Sequence, residues 1–345
     1  MPIAKQIIRL VSMAVGAETL LSLVLIASSG CAARPDTKAA SPQVNQDLPP
    51  PAGGFFNATV RPQETSDLIL LFNRRKIARL DVAASPAGTP GPRSRLFAVL
   101  VNGAREGHHQ TNIFLASNAL KQLGVDPRNI FILSTGIPWL NAAAYDPAET
   151  PFRVTARPTT TNLKLILDYL GGVVTSNDVV LLYLTGHGGK EDEYQALYDL
   201  GKTTAAATEY NLTNRSTIVL QGASLTALDF KNHLEHLQRA GQPLIVFLCD
   251  ECFGGGMAQV VPEAVPRYIA MAITDDSHIT TCWPFAPVFW KTLSTRNPAT
   301  GAYPALKSAF DEAMVFHRRA KKLSGPAGVF SCSDGLNDFS ISRVR

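Results

Sequence analysis

The stretch DVVLLYLTGHGG, residues 178–189, is the strongest indication of the fold. Its apolar part, Asp178 to Leu184, has the length of a strand and no polar interruption, which is typical of a strand buried on both faces. The chain then runs directly into Thr185-Gly186-His187-Gly188-Gly189. His187 is therefore predicted to emerge where the strand leaves its sheet, between glycines that let another backbone approach closely.

A second stretch has the same design. The apolar run Leu244 to Leu248 leads into Cys249-Asp250-Glu251-Cys252-Phe253 and three glycines. Ligands of parallel sheets bind beyond the carboxyl ends of the strands. If the two strands are neighbours, the imidazole of His187 and the thiol of Cys252 face each other across that edge.

Outward from these stretches, strand and helix patterns alternate. Further strands are predicted at residues 96–101, 129–133 and 268–273, and helices at residues 113–123, 162–170, 225–239 (with Ser224 as N-cap) and 304–321. Continuous apolar strands separated by helices predict an α/β fold with a mostly parallel sheet covered by helices on both faces.

The pairing of a thiol with an imidazole predicts nucleophilic chemistry. A thiol with its ordinary pKa of ~8.5 is weakly ionised at neutral pH, and a nearby imidazole takes its proton. An acyl transition state also needs hydrogen-bond donors for its oxyanion. The backbone N–H groups of Gly188 and Cys252 are the candidates, because small neighbours leave them uncovered.

The motifs resemble those of the legumain family. T-G-H-G-G after one apolar strand and D-E-C-x-G-G after another look like that family and the related catalytic subunit of GPI transamidase; caspases share the outline. Residues 98–101 with 107–112, and residues 120–130, resemble the family's first-strand block. The likeness covers roughly residues 96 to 290. It implies a caspase-like three-layer sandwich and a cysteine endopeptidase that needs no metal or organic cofactor.

The resemblance also implies roles for single residues. Cys252 would be the nucleophile, His187 the base, Gly188 an oxyanion donor and Glu106, at the family's Asn, the residue that orients the imidazole. Asp250 would line the primary specificity pocket, with His108 at the family's Arg position, Arg105 nearby, and the segment Thr274 to Trp283, including Asp275, as another wall.

The N-terminus predicts export. Lys5 and Arg9 precede the apolar run Thr19 to Ala27, and small residues lead to Cys31. This layout resembles a bacterial lipoprotein signal. We expect a signal peptide over residues 1–30, a lipidated Cys31 with a tether and a short adjunct over residues 31–94, and the peptidase domain over residues 95–345. The protein would be anchored in a membrane, on the periplasmic face of a bacterial envelope.

Several alternatives remain open from the sequence. A transamidase would use the same acyl-enzyme, attacked by an amine in place of water. Cys249-x-x-Cys252 also fits a thiol oxidoreductase or, with a histidine, a zinc site. Three glycines follow Cys252-Phe253 where a redox fold would begin a helix directly, which argues against the oxidoreductase. The last alternative is a non-catalytic binding lipoprotein of the same fold.

The net charge of +4 and the lack of a basic stripe argue against a nucleic-acid partner. The expected partners are therefore a peptide or protein substrate and the membrane. The oligomeric state is not predicted.

Overall fold

The computed structural model describes residues 72, 94–135, 154–190, 216–276, 280, 284–321 and 328–344. A six-stranded sheet lies at the centre. Its strands are β1 (Leu96–Asn102), β2 (Ile130–Ser134), β3 (Val179–Thr185), β7 (Leu244–Asp250), β8 (Tyr268–Ala272) and β9 (Val329–Cys332). Across the sheet they lie in the order β2-β1-β3-β7-β8-β9.

Five of these strands run parallel, and β9 is an antiparallel edge strand. Every residue of β1, β2, β3 and β7 is buried. Complete burial explains why these strands are continuous apolar runs, since both faces of the sheet are covered.

Among the described residues, six helices of ten or more residues supply that cover, three on each face. They are α1 (Gly107–Gln122), α2 (Thr160–Gly171), α3 (Ala227–Gly241), α4 (Gly254–Ala264), α5 (Phe285–Ser294) and α6 (Leu306–Lys321). Helices α2, α3 and α4 pack with the face that carries Phe97 and Val99, and α1, α5 and α6 with the face that carries Ala98 and Leu100. The predicted α/β class with a mostly parallel, two-sided sheet is confirmed.

A smaller antiparallel sheet connects the segment that carries His187 to α3. It consists of β4 (Gly188–Lys190), β5 (Ser216–Leu220) and β6 (Ala223–Thr226). The sequence did not predict these strands. Ile218, Leu220 and Leu225 anchor the small sheet in the main core.

Two local predictions are wrong. Helix α3 begins at Ala227 with Thr226 as its N-cap, because the Thr226 hydroxyl accepts from Asp229 N, whereas Ser224 lies in β6. The three glycines that follow Phe253 predicted that no helix begins directly after the motif. Helix α4 nevertheless begins at Gly254, the second residue after Cys252.

The predictions for the signal, Cys31 and the tether lie outside the described residues, as does most of the adjunct. None of the helices in the described part of the chain is both long and apolar enough to span a bilayer.

Candidate active site

The strands that carry the two motifs are neighbours. β3 and β7 pair in parallel, with Thr185 opposite Asp250 at their carboxyl ends. His187 and Cys252 each lie two residues beyond that last pair. The register therefore brings the imidazole and the thiol to the same edge of the sheet, as the motif spacing predicted.

The turn after β3 lies directly against the turn after β7. A Cβ added to Gly188 would lie 1.8 Å from the carbonyl oxygen of Cys252 and 3.2 Å from its nitrogen. Real side chains do not tolerate a contact of 1.8 Å, so this approach requires glycine. Gly188 thus brings the two backbones predicted to form an oxyanion site into contact.

Glu106 holds the imidazole of His187. The residue is the N-cap of α1, and its Oε1 lies 2.8 Å from His187 Nε2, with both side chains about half exposed. Burial raises the pKa of Glu106, but the hydrogen bond to His187 and the charge of His187 lower it, and the pKa ends below its usual value. An ionised carboxylate only accepts hydrogen bonds. The proton therefore sits on Nε2, which leaves Nδ1 of the neutral ring as the basic nitrogen.

A buried histidine packs beside this ring. His109 is 1% exposed, its Nδ1 lies 2.8 Å from Thr185 Oγ1, and its ring meets that of His187 edge-on at 5.7 Å. Burial, aided by the charges of His108 and His187, lowers the pKa of His109 to about 3. A neutral His109 shapes the space around His187 and does not repel a protonated ring.

The backbone around Cys252 favours a reactive thiol. Phe253 adopts the left-handed conformation at φ 55°, which turns the chain sharply from β7 into α4. The first helical N–H, of Gly254, donates to Thr274 Oγ1 at 3.1 Å. Cys252 therefore lies at the amino end of an 11-residue helix, where the helix dipole stabilises a thiolate.

The thiol itself contacts the backbone of Thr280. Cys252 Sγ donates to the Thr280 carbonyl oxygen at 3.2 Å and accepts from the Thr280 N–H, also at 3.2 Å. No hydrogen bond joins His187 to Cys252 in the described part of the chain. In this arrangement the imidazole is bound by Glu106 and the thiol by Thr280.

Two carboxyl groups lie in the core beneath the site. Asp250 and Glu251 are both fully buried. The Tyr183 hydroxyl and Asn112 Nδ2 donate to Asp250 Oδ2 at 2.9 and 3.2 Å. Among the residues that the structure describes, neither oxygen of Glu251 has a hydrogen-bond partner. Burial raises the pKa of Asp250 to about 8 and, with the charge of Asp250, raises that of Glu251 well above its usual value.

The other predicted site residues lie around this centre. His108 is partly buried and its ring lies 4.0 Å from that of His109, whereas Arg105 is exposed. Thr274 is buried and donates to the Glu251 carbonyl oxygen at 3.1 Å, and the Asp275 carbonyl oxygen accepts from Gly255 N at 3.3 Å. Both residues thus support the turn that carries Cys252. Asp250 contacts core side chains, and its role in a substrate pocket stays a prediction.

The structure adds residues whose roles were not predicted from the sequence. His109, Asn112 and Thr185 form buried hydrogen bonds below the motifs, and His317 on α6 contacts the hydroxyl of Thr280. The spacing of His109 and Asn112 in the first turns of the helix after Glu106 was a usable signal. His317 has no sequence signal, because it is one histidine on an ordinary amphipathic helix.

The fold and this site define a three-layer α/β protein with a histidine and a cysteine at neighbouring strand ends. The sequence matches no family model and no curated protein. Among solved structures, protein GSU0716 from Geobacter sulfurreducens is similar, with a TM-score of 0.44 and 10% sequence identity over 71% of this chain and 97% of that chain. A likeness at this level carries no information about activity.

Proposed function

We propose that this chain is a cysteine endopeptidase with a caspase-like fold that resembles the legumain family, in which Cys252 is the nucleophile and His187 the base. The observation that carries the proposal is the contact between the two strand-end turns at Gly188, combined with the carboxylate on His187 Nε2. These features give a thiol, an imidazole with a defined basic nitrogen and a group that orients it, all on neighbouring elements.

The proposed reaction has two halves, acylation of Cys252 and hydrolysis of the resulting thioester, and the same groups act in both. His187 Nδ1 takes the thiol proton as Cys252 Sγ attacks the peptide carbonyl, and the N–H groups of Gly188 and Cys252 stabilise the oxyanion. The C–N bond then breaks, and the imidazolium gives its proton to the leaving amine. Water, deprotonated by His187, attacks the thioester and releases Cys252. The Glu106 carboxylate stabilises the imidazolium in both halves.

The proposal includes a place in the cell. We infer from the N-terminal sequence that lipid on Cys31 tethers the domain to a membrane at the periplasmic face, where it acts on peptide or protein substrates. The proposed reaction needs no cofactor.

A thiol oxidoreductase is the second candidate, because α4 begins directly after Cys249-x-x-Cys252, as redox motifs require. Cys249 lies in β7 and is fully buried, and burial raises the pKa of its thiol well above its usual value. In a C-x-x-C redox pair, the second thiol must ionise and must come into contact with the first. The buried Cys249 is poorly suited to that task.

The test compares the purified full chain with Cys252→Ala and Cys249→Ala. Each protein is given a panel of fluorogenic peptides that differ in the residue before the cut, and its thiols are alkylated with iodoacetamide and mapped by mass spectrometry. Cys332, a partly buried free thiol on β9, is the internal reference for alkylation.

We expect cleavage to disappear in Cys252→Ala and to persist in Cys249→Ala, with Cys252 alkylated at least tenfold faster than Cys332, the effect of about one pKa unit between two thiols. Loss of activity in both variants, with a Cys249–Cys252 disulfide in the wild-type protein, would establish the oxidoreductase. If a small primary amine is included in the assay, cleavage products covalently joined to that amine would establish a transamidase.

A further inference from the structure

Cys252 is linked to a buried histidine on the far side of the Thr280 backbone. His317 lies on α6, is 1% exposed, and its Nε2 is 3.1 Å from Thr280 Oγ1. The backbone N–H and C=O of the same threonine both contact Cys252 Sγ. One residue thus connects the thiol to α6, whose buried residues belong to the hydrophobic core.

The two backbone contacts have different requirements. The N–H of Thr280 can donate to a thiol or to a thiolate. The carbonyl oxygen, in contrast, can only accept from a protonated thiol, and its dipole repels a thiolate at 3.2 Å. The carbonyl contact therefore holds the proton on sulfur and directs it away from His187.

We propose that His317 is a positioning residue that keeps the nucleophile at rest: by fixing Thr280, it holds the backbone carbonyl that binds the thiol proton. This inference rests on the proposed function, since it takes Cys252 as the nucleophile. It adds a control on that residue, located on a helix that carries none of the catalytic groups.

The arrangement also provides a way to release the thiol. The N–H and C=O of Thr280 point to the same side, as those of one residue do in an extended chain that pairs with another strand. An extended peptide that forms both hydrogen bonds with Thr280 must displace the thiol from them. Binding of a peptide backbone would thus direct the thiol proton to His187.

The test measures the reactivity of the thiol and needs no substrate. The full chain is compared with Thr280→Val, which is nearly isosteric and removes the hydroxyl, with His317→Leu, and with His317→Gln, which keeps a side-chain nitrogen at the position of Nε2. Thr295→Val, at the exposed end of α5, is the matched control. The rate of alkylation of Cys252 by iodoacetamide is followed between pH 5 and 9, with Cys332 as the internal reference.

We expect Thr280→Val and His317→Leu to raise the rate at Cys252 by roughly tenfold below neutral pH, which corresponds to about one unit in the midpoint of the profile. His317→Gln and Thr295→Val should keep the wild-type profile. An unchanged or slower rate in Thr280→Val would overturn the proposal, as would a His317→Gln profile equal to that of His317→Leu. Thr280→Val decides the question if His317→Leu does not fold.

The two proposals fail in different ways. Faster alkylation in Thr280→Val from a protein that cleaves no peptide would support the role of His317 and contradict the peptidase. Cleavage that depends on Cys252, with equal alkylation profiles in all variants, would support the peptidase and remove the role of His317.

Discussion

Glu106 contributes both a position and a charge to His187, and substitutions can separate the two. Glu106→Ala removes the acceptor on Nε2, so the ring is no longer held in one tautomer and orientation. We expect kcat to fall on the order of 10²-fold, the lower end of what a positioned acid–base group contributes, with little change in KM. Glu106→Gln keeps an acceptor oxygen but lacks the charge, and it should recover part of the loss.

The control for this prediction is Glu263→Ala, which removes a partly exposed carboxylate paired with Lys231 on neighbouring helices. Steady-state kinetics on the best peptide of the panel gives kcat and KM for each variant. A Glu106→Ala protein with wild-type kcat would show that the hydrogen bond to His187 has no part in turnover.

At the level of single residues, His187 and Cys252 could be predicted because each closely follows a buried apolar strand and precedes glycines. Glu106 was indicated only by the resemblance to the legumain family. Thr280 was included only as part of a predicted pocket wall. Its contact with the thiol depends on how the chain returns after β8, and that path has no residue pattern. The role of His317 was still harder to predict, because its contact with Thr280 depends on the packing of α6.

At the level of elements, the apolar runs predicted the parallel strands to within one or two residues. β4, β5 and β6 were missed because they are short, contain glycine and serine, and form a hairpin-like sheet without a long apolar run. Helix α4 was missed for a related reason. Its first three residues are glycines, which have poor helix propensity, and their packing against β7 and the Asp275 backbone overrides that preference.

The glycine pair that begins β4 allows a test of how closely the two strand-end turns must approach. In Gly188→Ala the new methyl group meets the Cys252 carbonyl, which is backbone and cannot rotate away. We expect about 1–3 kcal/mol of lost stability from overpacking. We also expect a loss of about 10²-fold in cleavage, because His187 is displaced relative to Cys252.

Gly189→Ala is the matched control, since its methyl group would lie 3.2 Å from Thr217 Oγ1, a side-chain atom that can rotate away. Urea unfolding and peptide cleavage are measured for both variants. Equal losses in the two proteins would mean that the contact between Gly188 and Cys252 is not what aligns the site.

For the molecule as a whole, the two ends of the sheet carry acids in opposite electrostatic situations. At the amino end, the buried Asp178 accepts hydrogen bonds from Arg95 N and Nε at 3.0 Å and from Thr175 N at 2.8 Å. Burial raises the pKa of Asp178, but these hydrogen bonds and the charge of Arg95 lower it by more. The pKa of Asp178 therefore ends below its usual value. At the carboxyl end, burial raises the pKa of Asp250 to about 8.

These opposite shifts predict how stability depends on pH. The stabilisation from Asp178 is present above the unfolded pKa of about 3.8 and is lost as the pH falls through the lower folded value. The protonated Asp250 stabilises the folded state fully below about 3.8, and this contribution is lost as the pH rises to about 8. Glu251 has the same sign as Asp250. His109, whose pKa is lowered from about 6.5 to about 3, has the opposite sign and offsets part of this loss up to about pH 6.5. We therefore expect stability to decline most steeply above about pH 6.5, where His109 no longer opposes Asp250 and Glu251.

Two substitutions separate the contributions in urea unfolding at pH 3, 5 and 8.5. Asp250→Asn cannot ionise, so its free energy of unfolding relative to the wild type should rise on the order of 2–4 kcal/mol between pH 5 and 8.5. Asp178→Asn should lose roughly 2 kcal/mol at pH 5, since Arg95 is 35% exposed and partly screened, and less at pH 3. Its distance from the reactive end of the sheet should leave the alkylation rate of Cys252 unchanged. A parallel pH profile for Asp250→Asn and the wild type would mean that Asp250 titrates normally and that water reaches the carboxyl end of β7.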